Sequence, residues 1–268
     1  MLEALSLNGK TAVITGGGTG LGREMTLAMA KAGADLVIAA RRLAPIEEVA
    51  QQVRAIGRRA DAVTTDATDT ESVRLLFEYV IKEFGKVDIL FNNAGIVRED
   101  GPKPIWEITD ESWKKGIDVN LSTAFYCSRA ISKHMADRGS GKIVNVSSGY
   151  GFRGGRDNYM YAAGKGGIVN LTRAMATSLG KYGITTNCIV PGFIPTEITD
   201  PDSERSRQRG RFIPIGRTGV PREMGPLAVF LASSASDYMN GEFLVIDGGG
   251  LAGGIAPTGH APEIPLNI

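Results

Sequence analysis

A glycine-rich run, TGGGTGLG at residues 15–22, stands between a short apolar segment and a helical segment. The apolar segment Thr11–Thr15 (TAVIT) predicts a buried strand, and Gly20–Ala32 predicts a helix. Gly16 permits the tight turn between them, and Gly22 lets the helix pack closely on the strand. A strand, a glycine turn and a helix in this order indicate an α/β fold with a parallel sheet.

Apolar runs and helical patterns continue to alternate along the chain. Further strands are predicted at residues 35–40, 60–65, 87–92, 142–147, 185–190 and 243–246, and further helices at 44–56, 71–84, 111–138, 159–182 and 222–233. This alternation predicts a single-domain, Rossmann-type, doubly wound parallel sheet of about seven strands with helices on both faces. The domain is expected to span residues 1–268, with a lid over 193–220 and a Gly/Pro-rich tail over 251–268, both of irregular structure.

The overall composition excludes several functions. Lysine plus arginine number 30 and aspartate plus glutamate 29, so a net charge of +1 gives no basis for binding nucleic acid or an anionic membrane. We find no signal-peptide pattern and no apolar run near the ~20 residues of a membrane helix, and therefore expect a soluble, cytoplasmic protein. Cys127 and Cys188 are expected to be buried free thiols. His134 and His260 lie far apart without a third ligand, so no metal site is predicted.

A second motif combines a tyrosine and a lysine four residues apart. Tyr161 and Lys165 lie within the predicted helix 159–182, so their side chains share one helix face. A phenol with its ordinary pKa near ~10 is a poor acid or base at neutral pH, and a neighbouring cation lowers that pKa. Ser148, thirteen residues before the tyrosine, could donate a hydrogen bond to a substrate oxygen. A tyrosine–lysine pair at this spacing also occurs by chance on many helices. Its interpretation as catalytic is supported by the glycine run, which lies between a strand and a helix as in a dinucleotide site.

Together these motifs resemble the classical short-chain dehydrogenase/reductase family. The glycine run is similar to that family's T-G-x-x-x-G-x-G, and residues 92–95 (NNAG) match its strand-four signature. Residues 187–196 (NCIVPGFIPT) match the segment beside the nicotinamide, and the resemblance covers roughly residues 6–250. It implies NAD(P)-dependent hydride transfer that interconverts a secondary alcohol and a ketone. The implied catalytic tetrad is Asn120, Ser148, Tyr161 and Lys165.

The resemblance also assigns a role to each member of the tetrad. Tyr161 is the implied acid–base, and Lys165 also holds the nicotinamide ribose. The residue at Asn120 holds a water that links the lysine to solvent. Ser148 contacts the substrate oxygen.

The implied cofactor-binding residues come from every one of these segments. They are Gly16, Gly18, Thr19, Gly20, Leu21, Gly22, Arg41, Arg42, Asp66, Ala67, Asn93, Ala94, Gly95, Tyr161, Lys165, Pro191, Gly192, Ile194 and Thr196. Ala40 stands where NAD-type relatives carry an aspartate, and Arg41 can bind a 2′-phosphate with two hydrogen bonds. We therefore predict NADP in preference to NAD; the alternative is that Arg41 and Arg42 are solvated charges. Asp66 is implied to contact the adenine edge, unless it caps the next helix, for which Asp69 is the better candidate.

The substrate is expected to be a small molecule bound between the loop after Ser148, Phe193 and the lid. Arg153 and Arg156 lie in that loop. The lid carries Arg205, Arg207, Arg209 and Arg211, one of which could meet an anionic substrate unless all are solvated. The sequence looks most like the sugar-acid and polyol branch of the family, such as gluconate 5-dehydrogenases. We therefore expect a sugar acid, polyol or related hydroxy compound as substrate, with a 3-oxoacyl thioester as the alternative.

Two other functional classes are less consistent with the sequence. A non-catalytic dinucleotide sensor would have lost Tyr161 or Lys165, and both are present. Nucleotide-sugar epimerases of the extended branch have a tighter glycine spacing than this chain and a larger C-terminal substrate domain.

Self-association is expected from the two long helices. Helices 111–138 and 159–182 carry apolar or small residues on more than one face, and relatives pair them across a two-fold axis, so we predict a homotetramer. The tail 251–268 carries aliphatic residues near its end and is expected to pack on a neighbouring subunit; the alternative is a frayed terminus.

Overall fold

A single sheet of seven parallel strands forms the centre of the computed structural model, which describes residues 2–96, 103–197 and 203–253, apart from the side chains of residues 2 and 205. The strands are Thr11–Thr15 (β1), Asp35–Ala40 (β2), Ala60–Thr64 (β3), Ile89–Asn92 (β4), Gly141–Val146 (β5), Ile184–Pro191 (β6) and Phe243–Ile246 (β7). Their order across the sheet is β3-β2-β1-β4-β5-β6-β7, and every neighbouring pair is parallel. The predicted doubly wound sheet is confirmed.

Helices cover both faces of this sheet. They are Gly20–Lys31 (α1), Leu43–Ala55 (α2), Thr70–Phe84 (α3), Asp110–Ile117 (α4), Thr123–Asp137 (α5), Tyr159–Leu179 (α6), Glu204–Gly210 (α7) and Met224–Ala232 (α8). Every residue of β1 is buried: Ala12 and Ile14 pack against α1, α2 and α8, while Val13 packs on the other face against α3, α5 and α6. A strand buried on both faces must be apolar throughout, which is why TAVIT shows no alternation.

The helix predicted over residues 111–138 is interrupted. Between α4 and α5 lies a π-helical turn, Asp118–Ser122. The Asn120 amide donates to the Gly116 carbonyl oxygen at 3.0 Å, and the Thr123 hydroxyl donates to the Val119 carbonyl oxygen at 3.0 Å. Side chains that bond to carbonyls one turn back disturb the regular ladder, and π-bulges of this kind occur frequently at functional sites.

The lid prediction is also partly corrected. Residues 193–220 were expected to lack regular structure, but they contain α7, which Ser203 caps by accepting from the Ser206 N–H at 3.2 Å. Other helix and strand ends differ from the predictions by one to three residues. Residues 198–202 of the lid and 254–268 of the tail lie outside the described residues, so the functions predicted for the lid and tail stay predictions.

Three further findings concern the described residues. None of their helices is long and apolar enough to cross a membrane. Within the same ranges, no three His, Cys, Asp or Glu side chains are grouped to hold a metal ion. Cys127 and Cys188 are buried free thiols, as predicted, and burial raises the pKa of each to about 12.

Candidate active site

The carboxyl ends of β1 and β4 meet where the strand order reverses. Such a switch point is the crevice in which open parallel α/β sheets bind ligands. The Thr15 hydroxyl oxygen accepts hydrogen bonds from the N–H groups of Asn93 and Ala94, each at 3.1 Å. The Asn93 amide donates to the carbonyl oxygens of Thr15 at 3.1 Å and Gly16 at 3.0 Å. These bonds hold the glycine run against the NNAG segment and form the floor of the crevice.

The glycine run leaves room for a phosphate at the start of α1. A Cβ on Gly22 would lie 2.2 Å from the Gly16 carbonyl oxygen, so this close packing requires glycine. Gly20 adopts a φ of +53°, and a Cβ there would lie 3.0 Å from Cγ2 of Thr196. The Thr19 side chain makes no capping hydrogen bond to the helix. The first N–H groups of α1 are therefore left without a side-chain cap and can donate to an anion such as a pyrophosphate.

The end of β2 presents two exposed arginines, Arg41 and Arg42, beside Asp66. Hydrogen bonds from the Thr68 hydroxyl (2.7 Å) and the Thr68 N–H (2.9 Å) lower the pKa of Asp66, and the charge of Arg41 lowers it further. Asp66 does not cap α3. The cap is Asp69, whose carboxylate accepts from the Glu71 N–H at 3.0 Å. The preference for Asp69 as the capping residue is confirmed, and the Asp66 carboxylate remains beside the cationic end of β2.

The side chains of Ser148 and Tyr161 are neighbours at the candidate site. Ser148 follows β5, and Tyr161 lies in the first turn of α6. Burial raises the pKa of the Tyr161 phenol, and the neighbouring Ser148 hydroxyl lowers it in part. The Lys165 ammonium lies 5.7 Å from the centroid of the Tyr161 ring, and the predicted lowering of the Tyr161 pKa by this cation stays a prediction.

Lys165 is buried beneath the tyrosine, with 4% of its surface exposed. Its Nζ donates to the Val146 carbonyl oxygen at 2.8 Å. Burial lowers the pKa of Lys165 to about 8. A Cβ on Gly95 would lie 3.1 Å from this Nζ and 3.2 Å from Oδ1 of Asn120. The glycine of the NNAG segment thus allows the lysine and the asparagine to approach the same point.

Asn120 is held in place by the π-helical turn. Its Oδ1 accepts from the Ile96 N–H at 3.1 Å while its Nδ2 donates to Gly116. A Cβ on Gly164 would lie 2.7 Å from Cβ of Asn120, so α6 also packs tightly on this turn. All four residues of the predicted tetrad therefore converge where β4, β5 and α6 meet.

The segment after β6 closes the other side of the crevice. The Gly192 N–H donates to the Ile246 carbonyl oxygen at 2.9 Å, and a Cβ on Gly192 would lie 2.5 Å from Cβ of Asp247. Pro191 ends β6 and Ile194 packs against Gly219. With Thr196 over Gly20, the segment 191–196 faces the glycine run.

Two residues of the site were not predicted from the sequence. The Ser147 hydroxyl, which is buried, donates to the Lys165 carbonyl oxygen at 2.8 Å. Tyr150 lies edge-on to Tyr161, with ring centroids 6.2 Å apart and an interplanar angle of 82°. An aromatic residue placed among glycines directly after Ser148 is a signal that could have identified Tyr150. Nothing in the sequence pattern distinguishes Ser147 from an ordinary strand-end serine.

Comparison with known proteins identifies the family. The family model for short chain dehydrogenases matches residues 10–207. This chain belongs to the short-chain dehydrogenase family. A similar curated member is the 2-dehydro-3-deoxy-D-gluconate 5-dehydrogenase of Escherichia coli (strain K12), which is 41% identical over 94% of this chain and 99% of its own length.

Two further short-chain dehydrogenase relatives are informative. A 3-oxoacyl-acyl-carrier-protein reductase of Thermotoga maritima is 32% identical over 91% of this chain and 99% of its own. The crystal structure of a gluconate 5-dehydrogenase from Burkholderia cenocepacia J2315, in complex with NADP and tartrate, is 34% identical with a TM-score of 0.88 and covers 94% of this chain and 99% of its own. The predicted family and enzyme class are confirmed: the chain is an NAD(P)-dependent oxidoreductase.

Proposed function

We propose that this chain catalyses the reversible, NADP-dependent oxidation of a secondary hydroxyl of a sugar acid to a ketone, with Tyr161 as the acid–base. The observation that carries the proposal is the placement of Ser148 beside Tyr161, with Lys165 buried one helical turn further along α6. The three side chains lie beside the switch point between β1 and β4. A proton-transfer group thus stands next to a site shaped for a dinucleotide.

Each side chain has a distinct part in the proposed reaction. When bound, the nicotinamide cofactor supplies or accepts the hydride. In the reducing direction negative charge develops on the substrate oxygen, and the Tyr161 hydroxyl gives that oxygen a proton. The Ser148 hydroxyl donates a hydrogen bond to the same oxygen. Lys165, whose pKa of about 8 lies near neutrality, exchanges protons readily and would hold the nicotinamide ribose, with Asn120 positioning a water behind it.

NADP fits the described residues. The uncapped start of α1 suits the pyrophosphate, and Gly18, Leu21 and the other residues of the glycine run would surround it. Arg41 and Arg42 are exposed at the end of β2 and would bind the 2′-phosphate, because Ala40 brings no acid that would repel it. Asp66 and Ala67 would border the adenine.

The substrate class is supported by the relatives. The Escherichia coli relative is named for a dehydrogenase of a sugar acid, and the Burkholderia relative was crystallised with tartrate, which is a hydroxy acid. The glycine-rich loop 149–155 follows Ser148 and reaches Tyr161 through the ring of Tyr150. A sugar acid is therefore the first substrate to test.

A spectrophotometric screen tests the proposed function. Purified protein is assayed with NADPH and NADH against keto sugar acids, uncharged ketones and 3-oxoacyl thioesters, and in the reverse direction with D-gluconate and polyols. We expect the highest kcat/KM with a sugar acid and NADP. A clear preference for 3-oxoacyl thioesters would instead establish the activity named for the Thermotoga relative. Binding of NADPH without turnover of any substrate would point to a dinucleotide sensor.

We also propose that the protein is a homotetramer. Helix α5 buries Ala124 in the core while Phe125, the next residue, is 44% exposed. Tyr182, just after α6, is 45% exposed. Apolar side chains left on the outer faces of these helices need a further partner. Sedimentation at micromolar concentration is expected to give a tetramer, and a monomer would overturn the proposal.

A further inference from the structure

We propose that Arg153 binds the carboxylate of the substrate and thereby sets the preference of this site for a sugar acid over an uncharged analogue. The inference rests on the proposed function and adds to it the residue that recognises the acid. It is carried by three observations: the turn that places Arg153, the ring that connects it to Tyr161, and the lack of a competing carboxylate.

The turn after Ser148 fixes where Arg153 lies. The Ser148 hydroxyl oxygen accepts from the Tyr150 N–H at 3.2 Å, and the Ser148 carbonyl oxygen accepts from the Gly151 N–H at 2.8 Å. The Gly149 carbonyl oxygen then accepts from the Arg153 N–H at 3.2 Å. The backbone from the candidate catalytic serine to Arg153 is therefore a hydrogen-bonded turn.

The Tyr150 ring connects Arg153 to the reacting end of the site. The guanidinium carbon of Arg153 lies 5.8 Å from the centroid of this ring, within the range of a cation–π contact. The edge-on contact of the same ring with Tyr161 places the guanidinium one aromatic ring away from the candidate acid–base. A Cβ on Gly155 would lie 3.0 Å from two atoms of the Tyr150 ring, so the loop packs closely around it. Packing thus fixes the ring that the exposed Arg153 side chain contacts.

Arg153 differs in its partners from four other arginines on the substrate side. Arg156 lies 3.7 Å from Asp157, Arg207 lies 3.3 Å from Glu204, and Arg217 lies 2.6 Å from Glu223. Arg209 is stacked on Phe193 at 4.4 Å. Across residues 2–96, 103–197 and 203–253, no carboxylate lies within ion-pair distance of Arg153.

This pattern favours Arg153 over Arg207, Arg209 and Arg217 as the recognising cation, and its contact with the ring beside Tyr161 distinguishes it from Arg211. A guanidinium that lies against an aromatic ring keeps the N–H donors in its own plane for other partners. Two of them can bind a carboxylate side by side. A substrate whose hydroxyl carbon lies at Tyr161 and whose chain follows the Tyr150 ring would end at these donors. An uncharged polyol would leave them solvated, which is the physical basis for discrimination.

The test compares one acid with its neutral analogue. Wild-type protein, Arg153→Met, Arg153→Lys and the control Arg156→Met are assayed with NADP and either D-gluconate or D-gluconamide, which has the same hydroxyls but no charge. We expect Arg153→Met to lower kcat/KM for D-gluconate by about 10- to 100-fold, mainly through KM, the range for losing a hydrogen bond to a charged group. Its effect on D-gluconamide should be within about threefold, and Arg153→Lys should recover part of the loss. Arg156→Met should behave as wild type on both compounds.

The possible outcomes separate this inference from the proposed function. If wild type oxidises D-gluconate and Arg153→Met does so equally well, the inference is overturned and the proposed function stands. Equal losses on acid and amide would assign Arg153 a structural role and overturn it as well. If wild type turns over neither compound, the same variants are compared on the best acid from the screen and its amide. A screen that finds only uncharged substrates overturns the proposed function and this inference together.

Discussion

The Nζ of Lys165 donates to the carbonyl oxygen of Val146 at 2.8 Å. The hydroxyl of the next residue, Ser147, donates to the carbonyl oxygen of Lys165, also at 2.8 Å. Strand β5 and helix α6 are thus joined in both directions at one lysine. Ser148 continues from the strand and Tyr161 lies one turn earlier on the helix. These two hydrogen bonds between β5 and α6 therefore fix the relative position of Ser148 and Tyr161. Proton transfer requires such preorganisation.

Removal of the Tyr161 hydroxyl should abolish most of the turnover. Tyr161→Phe keeps the ring and its contact with Tyr150, so NADPH binding, measured by fluorescence titration, should be retained. The turnover number should fall by ~10²–10⁴-fold, the contribution of a general acid–base. Tyr159→Phe is the matched control, because that hydroxyl bonds only weakly to Asp157, at 3.4 Å, and it should keep normal activity. Turnover of Tyr161→Phe within about tenfold of wild type would contradict the assignment.

The Ser148 hydroxyl should influence the pH dependence of oxidation. Oxidation needs Tyr161 deprotonated, and burial raises its pKa, so kcat/KM for oxidation should increase with pH into the alkaline range. The neighbouring Ser148 hydroxyl lowers this pKa. Ser148→Ala removes that effect, so the rising limb should move to higher pH, whereas Ser148→Thr, which keeps a hydroxyl, should leave it in place. If the rising part of the kcat/KM profile is unchanged in Ser148→Ala, or moves to lower pH, Ser148 does not lower the pKa of Tyr161.

Much of the fold could be predicted from the sequence, because its signals are local. The strand β1 and helix α1 follow from an apolar run, a glycine turn and a helical period, and the Asp69 cap follows from residue type. The π-helical turn could not be predicted, since the helical pattern of residues 111–138 continues through it. The turn is associated with a contact between residues distant in sequence, because the Asn120 side chain accepts a hydrogen bond from the Ile96 N–H. Helix α7 was missed because its sequence, ERSRQRG, carries no apolar period.

The candidate site shows the same limit. Motif spacing was enough to select Ser148, Tyr161 and Lys165, but their electrostatics depend on burial and on partners from other elements. The Lys165 ammonium, for example, donates to the Val146 carbonyl oxygen, and its expected effect on the pKa of Tyr161 stays a prediction. No pattern in the sequence indicates that a strand carbonyl will be the partner of that ammonium.

The cofactor preference should follow the charge at the end of β2. Ala40→Asp combined with Arg41→Ala places an acid where the 2′-phosphate would bind and removes one cation. The ratio of kcat/KM for NADP to that for NAD should fall by about 10- to 100-fold, as for the loss of a charge-assisted hydrogen bond. Arg42→Ala alone should give a smaller change. A wild-type protein that already uses NADH better than NADPH would show that the interpretation of Arg41 is wrong.

The buried charge of Lys165 should make stability depend on pH in a defined direction. Burial lowers the pKa of Lys165 from its ordinary value of 10.5 to about 8, so the folded state binds fewer protons than the unfolded state between these two values. Stability rises with pH where the unfolded state binds more protons. The penalty is therefore fully present below pH 8 and is relieved as the pH approaches 10.5, by about 3 kcal/mol in total. Lys165→Met lacks this titration, and it should also lose catalysis.

Urea unfolding at several pH values between these limits measures this effect. The free energy of unfolding of Lys165→Met minus that of wild type should decrease from pH 8 toward pH 10.5. Taking the difference removes the titrations that the two proteins share, and the lost hydrogen bond to Val146 adds an offset that does not change with pH. Lys31→Met, at an exposed position in the last turn of α1, is measured in parallel as the control for the loss of one lysine. If the difference between Lys165→Met and wild type does not change with pH, Lys165 is not desolvated in the folded protein, and its proposed proton exchange near neutral pH has no basis.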